Sequence, residues 1–159
     1  MTRADLQSAL LLDNIQGFLH AIRLGEGTPD DAGYNRIVGG QTFSDMSTHP
    51  NVRVFIPKYN VWSTASGAYQ ITHPTWLGLV AQYEFTDFSP EQQDEMAVAL
   101  IAGRHALDFV KAGDLQSAVN ACNPEWASLP GSTAGQRTEA YANVQQAYLD
   151  NGGTLQEAA

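Results

Sequence analysis

The chain has 159 residues, 43% of them hydrophobic and 16% charged, enough apolar content for one core and without the low-complexity tracts or long-period repeats of a disordered or repeat protein. Its formal net charge of −9 argues against a nucleic-acid binder, because phosphate binding needs clustered Lys and Arg to release counterions. A lone cysteine, Cys122, excludes an intramolecular disulfide and any cysteine-cluster metal site, and reads as a small buried apolar residue.

At the N-terminus the short apolar run Ala9 to Leu12 is bracketed by Asp5 and Asp13, which makes it neither a signal-peptide core nor a membrane span. The expectation is a protein retained where it is made, with no stable membrane association. Leu6, Leu10, Leu11, Ile15, Phe18, Leu19 and Ile22 recur at spacings of three and four, the signature of an amphipathic helix. Thr2 and Asp5 resemble a capping box at its start, and Gly25 and Gly27 mark its end, so Glu26 falls at the helix C-terminus.

From Thr28 to about His73 the helical period gives way to turn signals, including Thr28-Pro29-Asp30-Asp31, Gly39-Gly40 and His49-Pro50. Between them lie short β-prone pieces at Ile37-Val38, Val52 to Ile56 and Ala68 to Thr72. So long an irregular stretch predicts either a loose loop or a functional one, such as a cleft wall. Helical spacing returns at Trp76, Leu77 and Val80. Ser89-Pro90-Glu91-Gln92 then predicts a capped start to a long helix from Pro90 to about Lys111, with Met96, Leu100, Ala106, Phe109 and Val110 facing inward and Gly113 ending it. A short helix from Asp114 to Asn120, a loop through Pro124 and Pro130, and a last helix from Thr138 to Asp150 complete the chain, with Asn151-Gly152-Gly153 as the stop. No stretch reads as a linker, so residues 1–159 are expected to form one domain. The fold class predicted is α+β, a helical lobe and a smaller β-containing lobe with a substrate cleft between them.

Glu26 is the leading candidate for chemistry. A carboxyl at a helix C-terminus feels the negative end of the macrodipole and, beside an apolar wall, loses solvation; both raise its pKa toward that of a general acid. Taken alone, it also fits a solvated helix-end glutamate. His20, His49, His73 and His105 show no metal-binding pair spacing, and nucleophile-elbow, phosphate-loop and dinucleotide-binding patterns are absent. Aromatic residues cluster in the irregular part, at Tyr34, Phe43, Tyr59, Trp62 and Tyr69, followed by Trp76 and Trp126. These rings suit stacking on sugar rings, and Asn35, Ser66, Gln70 and Gln136 suit sugar hydroxyl and acetamido groups. The same rings equally suit the core of a small lobe.

Several collinear segments together resemble one family, the lambda-type phage endolysins, which are soluble lytic transglycosylases. They are Gly25-Glu26-Gly27-Thr28, Tyr34 with Ile37-Val38-Gly39-Gly40, Phe43-Ser44-Asp45 with His49-Pro50, and Ser63-Thr64-Ala65-Ser66-Gly67-Ala68-Tyr69-Gln70. Asp87-Phe88-Ser89-Pro90, Trp126-Ala127-Ser128-Leu129-Pro130-Gly131 with Gly135-Gln136, and Gly152-Gly153-Thr154 continue the order to the C-terminal end. The resemblance implies a lysozyme-like fold and cleavage of the MurNAc-β-1,4-GlcNAc bond of peptidoglycan glycan strands. It implies Glu26 as catalytic acid, and a groove lined by Gly67, Tyr69 and Gln70, with Tyr34, Ser66, Trp126 and Gln136 as further substrate contacts. No metal or cofactor is implied. Also implied are a monomer held in the host cytoplasm and its release to the cell wall at lysis through a holin-made lesion. Two positions depart from the pattern: Asn35 stands where an acidic residue is expected, and Ala68 where an arginine is expected.

The competing readings are a hydrolytic muramidase of the same fold, with Asp45 or Asp30 activating water, a non-catalytic wall-binding or virion protein, and a protein–protein adaptor using an acidic helical surface, which has only the charge in its favour.

Overall fold

The computed structural model describes residues 1–158. In chain order these form α1 (Arg3–Ala9), α2 (Asp13–Glu26), a 3-10 turn (Asp31–Asn35), β1 (Val54–Ile56), a second 3-10 turn (Pro57–Tyr59), β2 (Val61–Ser63), α3 (His73–Tyr83), α4 (Pro90–Gly103), α5 (Leu107–Ala112), α6 (Leu115–Cys122) and α7 (Tyr141–Asp150). The chain divides into two compact units, residues 1–27 with 94 onward, and Thr28–Gln93.

The first unit is helical. Ile15, Phe18, Leu19, Ala21 and Ile22 of α2 and Val144 and Tyr148 of α7 are all buried, and Gly17 lets the two helices meet. A Cβ on Gly17 would lie 2.7 Å from the Tyr148 carbonyl oxygen and 2.9 Å from the Gly153 nitrogen. Helix α4 is buried almost all round from Glu95 to Ala99, as a central helix must be. The buried Glu95 carboxylate is satisfied by Arg3 Nε at 2.7 Å and Gln7 Nε2 at 3.2 Å.

Two of the helices expected from periodicity are each broken in two. The capping box of Thr2 and Asp5 is present, but the first helix stops after Ala9 and restarts at Asp13. Leu10, Leu11 and Leu12 cannot all face inward: Leu11 is 83% exposed, and the Leu10 carbonyl accepts a hydrogen bond from Gln16 Nε2 instead of continuing the helix. The helix expected from Pro90 to Lys111 likewise breaks at Arg104–Ala106. There His105 takes a left-handed φ of +56°, and the Ala106 N–H reaches back to the Ile101 carbonyl. That break shifts the phase, so Leu107 and Val110 face inward while Phe109, expected inside, is 41% exposed. Gly113 ends α5 in the left-handed conformation, as expected.

The second unit holds little regular structure. Strands β1 and β2 pair antiparallel with Phe55 opposite Trp62, and isolated bridges join Arg36 to Thr42, Ile37 to Ser66 and Ser66 to Ile71. The β-prone pieces Ile37-Val38 and Val52 to Ile56 therefore each make a pairing, Ile37 with Ser66 and Val54 with Ser63, whereas the Ala68–Thr72 piece is mostly a turn. Strand β2 lies outside the β-prone pieces expected from the sequence. Ser89 Oγ accepts the Gln92 N–H at 3.4 Å, but Gln92 does not close the box; its Oε1 accepts from the Thr86 and Asp87 N–H groups. Gln93 ties this unit together. Its Oε1 accepts the Ala68 N–H at 2.9 Å, and its Nε2 donates to the carbonyls of Tyr34 at 3.0 Å and Phe88 at 2.8 Å.

Candidate active site

Glu26 is the last residue of α2, and Gly27 caps the helix in the left-handed conformation with φ +73°, as a residue without Cβ does readily. The chain turns away immediately after the carboxyl-bearing residue. Ser128 comes to it from a turn between α6 and α7. That turn is anchored by Leu129, fully buried, by Trp126, 3% exposed, and by Asn123 Nδ2 donating to the Pro130 carbonyl at 3.0 Å. The Ser128 hydroxyl donates to Glu26 Oε1 at 2.7 Å across a sequence separation of 102 residues. Gly25 makes room for it, since a Cβ there would lie 2.7 Å from Ser128 Oγ.

Burial raises the Glu26 pKa, and the Ser128 hydroxyl, which favours the ionised form, partly offsets that rise. The negative end of the α2 dipole acts in the same direction as burial. No charged neighbour contributes, so this carboxyl is tuned by desolvation and one hydroxyl, the environment of a proton donor rather than of an ion pair.

Of the expected groove residues, Tyr34, Ser66, Gly67, Tyr69 and Gln70 fall together in the second unit, where Gln93 links the Tyr34 carbonyl to the Gly67–Ala68 turn. Gly67 has φ +80°, and any Cβ there would collide with the Gln93 carboxamide. Ser66 is fully buried and Tyr69 is 1% exposed, so both shape the turn from within. Gln70, at φ +49°, is half-exposed, and its Nε2 donates to the Gly67 carbonyl at 2.9 Å. Trp126 and Gln136 belong to the helical unit, the first buried and the second exposed on the approach to α7.

At the two departures, Asn35 Nδ2 donates to the Phe43 carbonyl at 2.9 Å, and Ala68 is fully buried with its carbonyl accepting the Thr28 hydroxyl at 2.5 Å. An arginine side chain at position 68 would have to leave that buried site. His49 is also buried. Its Nδ1 accepts the Asn51 N–H at 3.0 Å, which leaves Nε2–H to donate to the Ile71 carbonyl at 2.8 Å, and burial holds its pKa below the usual histidine value. Among the described residues no group of three or more His, Cys, Asp or Glu side chains is arranged to hold a metal ion. Nor is any helix long and apolar enough to cross a membrane.

Ser128, Thr28 and Gln93 are the contributors the sequence did not single out. Ser128 and Thr28 sit inside recognised runs but have residue types too common to mark a role. Gln93 was overshadowed by its neighbour Gln92.

The sequence model of the family described as Endolysin matches residues 16–155. The chain belongs to that family. This endolysin is 36% identical over 149 residues to the endolysin of Escherichia phage lambda, covering 89% of this chain and 93% of the relative. It is also 36% identical over 155 residues to the endolysin of Escherichia phage P2, covering 88% and 93%. Among solved structures it resembles bacteriophage lambda lysozyme complexed with a chitohexasaccharide, with a TM-score of 0.85 and 34% identity over 91% of this chain and 97% of that one. A second structure of lysozyme from bacteriophage lambda gives a TM-score of 0.79 at 31% identity, with the same coverage. The endolysin therefore has the α+β, lysozyme-like fold and is a peptidoglycan-degrading phage lysis enzyme.

Proposed function

We propose that this endolysin is a lytic transglycosylase that cleaves the MurNAc-β-1,4-GlcNAc bond with Glu26 as its acid and base. The observation that carries the reading is the state of Glu26: a half-buried carboxyl with a raised pKa, one hydroxyl donor and no charged neighbour contributing. Protonated Glu26 gives its proton to the glycosidic oxygen as the bond to the MurNAc anomeric carbon breaks. The resulting carboxylate takes the proton of the same sugar's C6 hydroxyl while O6 bonds to that carbon. A 1,6-anhydro ring closes, Glu26 is protonated again and no water is consumed. An intramolecular nucleophile supplies proximity that a hydrolase must build with a second carboxylate and a held water.

The hydrolytic alternative asks Asp45 or Asp30 to activate water. Asp45 is poorly suited, since Ser47 donates to its Oδ1 through both N–H, at 2.9 Å, and hydroxyl, at 2.6 Å, holding the carboxyl below the usual range.

As part of the same reading, Gln70, Tyr34 and Gln136 contact the glycan directly. Gly67, Ser66 and Tyr69 shape the turn that carries Gln70, and Trp126 anchors the turn that carries Ser128. The related lambda enzyme complexed with a chitohexasaccharide supports a β-1,4-linked amino-sugar chain as the ligand. The enzyme acts as a monomer, released from the host cytoplasm to the wall through a holin lesion. Digesting purified peptidoglycan in oxygen-18 water tests the chemistry: anhydro ends without label are expected, and labelled reducing ends would assign a muramidase.

A further inference from the structure

The chain carries 17 Asp and Glu residues, yet none lies between Asp45 and Glu84, where Arg53 and Lys58 are the only residues with a permanent charge. Both sit on the β1–β2 hairpin or beside it, and neither pairs with a carboxylate among the described residues. The hairpin is also unusually apolar for an exposed element: Trp62 is 60% exposed, Val61 47%, Phe55 41% and Val52 37%. Trp62 packs against Phe55 at a ring separation of 5.3 Å, and the Arg53 guanidinium lies 5.1 Å from the Trp62 ring. Two pockets flank this pair, and Arg53 and Trp62 line both. One, of about 340 Å³, is of mixed character, with Asn51, Thr64 and Thr72 among its lining; the other, of about 360 Å³, is more apolar, with Val52 and Phe55.

We propose that this hairpin docks the peptide stems of the wall polymer, with Arg53 pairing a stem carboxylate and Trp62 covering the apolar part of the stem. The assignment rests on peptidoglycan being the substrate. Charge complementarity selects the occupant. A glycan backbone whose lactyl groups are capped by stems is neutral and gives no use to an unpaired arginine in a carboxylate-free stretch of an acidic protein, whereas every uncross-linked peptide stem ends in a carboxylate. A guanidinium held over an indole face still has N–H donors to offer a carboxylate. An anionic lipid surface fits less well, because two cations give only about 1 kcal/mol each at such a surface and the net charge of −9 opposes approach.

The test compares kcat/KM on uncross-linked strands that carry stem peptides with kcat/KM on the same strands stripped by an amidase. The ratio of the two is measured for wild type, Arg53→Gln, Arg53→Lys and Trp62→Ala, with Tm as the folding control. Arg53→Gln and Trp62→Ala are expected to lower the ratio about fivefold, as for a partly exposed charge-assisted contact. Arg53→Lys should retain part of it. Salt at about 1 M, where the Debye length is about 3 Å, should bring the wild type toward Arg53→Gln. An unchanged ratio in both folded variants, or equal losses on both substrates, would overturn the assignment. So would an unchanged ratio together with loss of co-sedimentation with phosphatidylglycerol vesicles, which would assign the hairpin to a membrane surface. The masses of the product ends, read from the same digests, report separately on the transglycosylase reading.

Discussion

At Glu26 two neighbours pull in opposite directions: burial disfavours the carboxylate, and the Ser128 hydroxyl at 2.7 Å favours it. A general acid works only while protonated, so the alkaline limb of the pH–rate profile follows the Glu26 pKa and lies above the ordinary glutamate range. Ser128→Ala removes the contribution that lowers it. That limb should move to higher pH, and a pH profile of kcat/KM superimposable on the wild type would show that the hydroxyl does not act on Glu26. Stability carries the complementary signature. With the folded pKa raised above the unfolded one, the stability due to neutral Glu26 is full below the unfolded pKa and is lost as pH rises through the folded pKa. Glu26→Gln should therefore gain in Tm over the wild type as pH rises through the folded Glu26 pKa, and lose that advantage in acid. Thermal melts across pH check this. The helix-end position of Glu26 was legible because Gly-Glu-Gly sits at the end of an apolar periodic run, whereas its assignment as the acid came from the family resemblance. Ser128 was not legible, because a contact across 102 residues leaves no local trace.

The elements were legible where one signal sufficed and illegible where two competed. The Thr2–Asp5 box and the Gly113 stop are local, and both are present. Three successive leucines, and a left-handed residue that is histidine rather than glycine, hid the breaks after Ala9 and Gly103. In the second unit, hydrogen bonds from one side chain do what a larger sheet would do, and Gln93 carries three of them. Gln93→Leu leaves the Ala68 N–H and two carbonyls without that partner, a cost of about 1–3 kcal/mol for each group left unsatisfied. The expected Tm fall is about 2–4 °C per kcal/mol, and a melt within error of wild type would remove Gln93 from its place in the turn. Gly17→Ala should cost about 1–3 kcal/mol by forcing α2 and α7 apart, which urea denaturation would measure as a lower midpoint.

For the whole molecule, the net charge of −9 says nothing of how charge is arranged along the chain. The stretch between Asp45 and Glu84 shows that arrangement only when the hairpin brings Arg53 and Trp62 together. Cys122 offers a probe of global opening. It is buried, and its thiol is pushed up to about 12, so it is inert at pH 8 in the folded chain. Labelling by a thiol reagent should track unfolding rather than reagent concentration, and fast labelling of the native protein would contradict the packing around α6. The peptidoglycan-degrading activity rests on a single carboxyl in this reading, so the most direct measurement is turnover of purified peptidoglycan by wild type and Glu26→Gln, with circular dichroism and muropeptide masses on both. A folded Glu26→Gln that has lost about 10²- to 10⁴-fold of activity, beside a wild type releasing 1,6-anhydro ends, is the expected result; a folded mutant with wild-type turnover would contradict Glu26 as the acid.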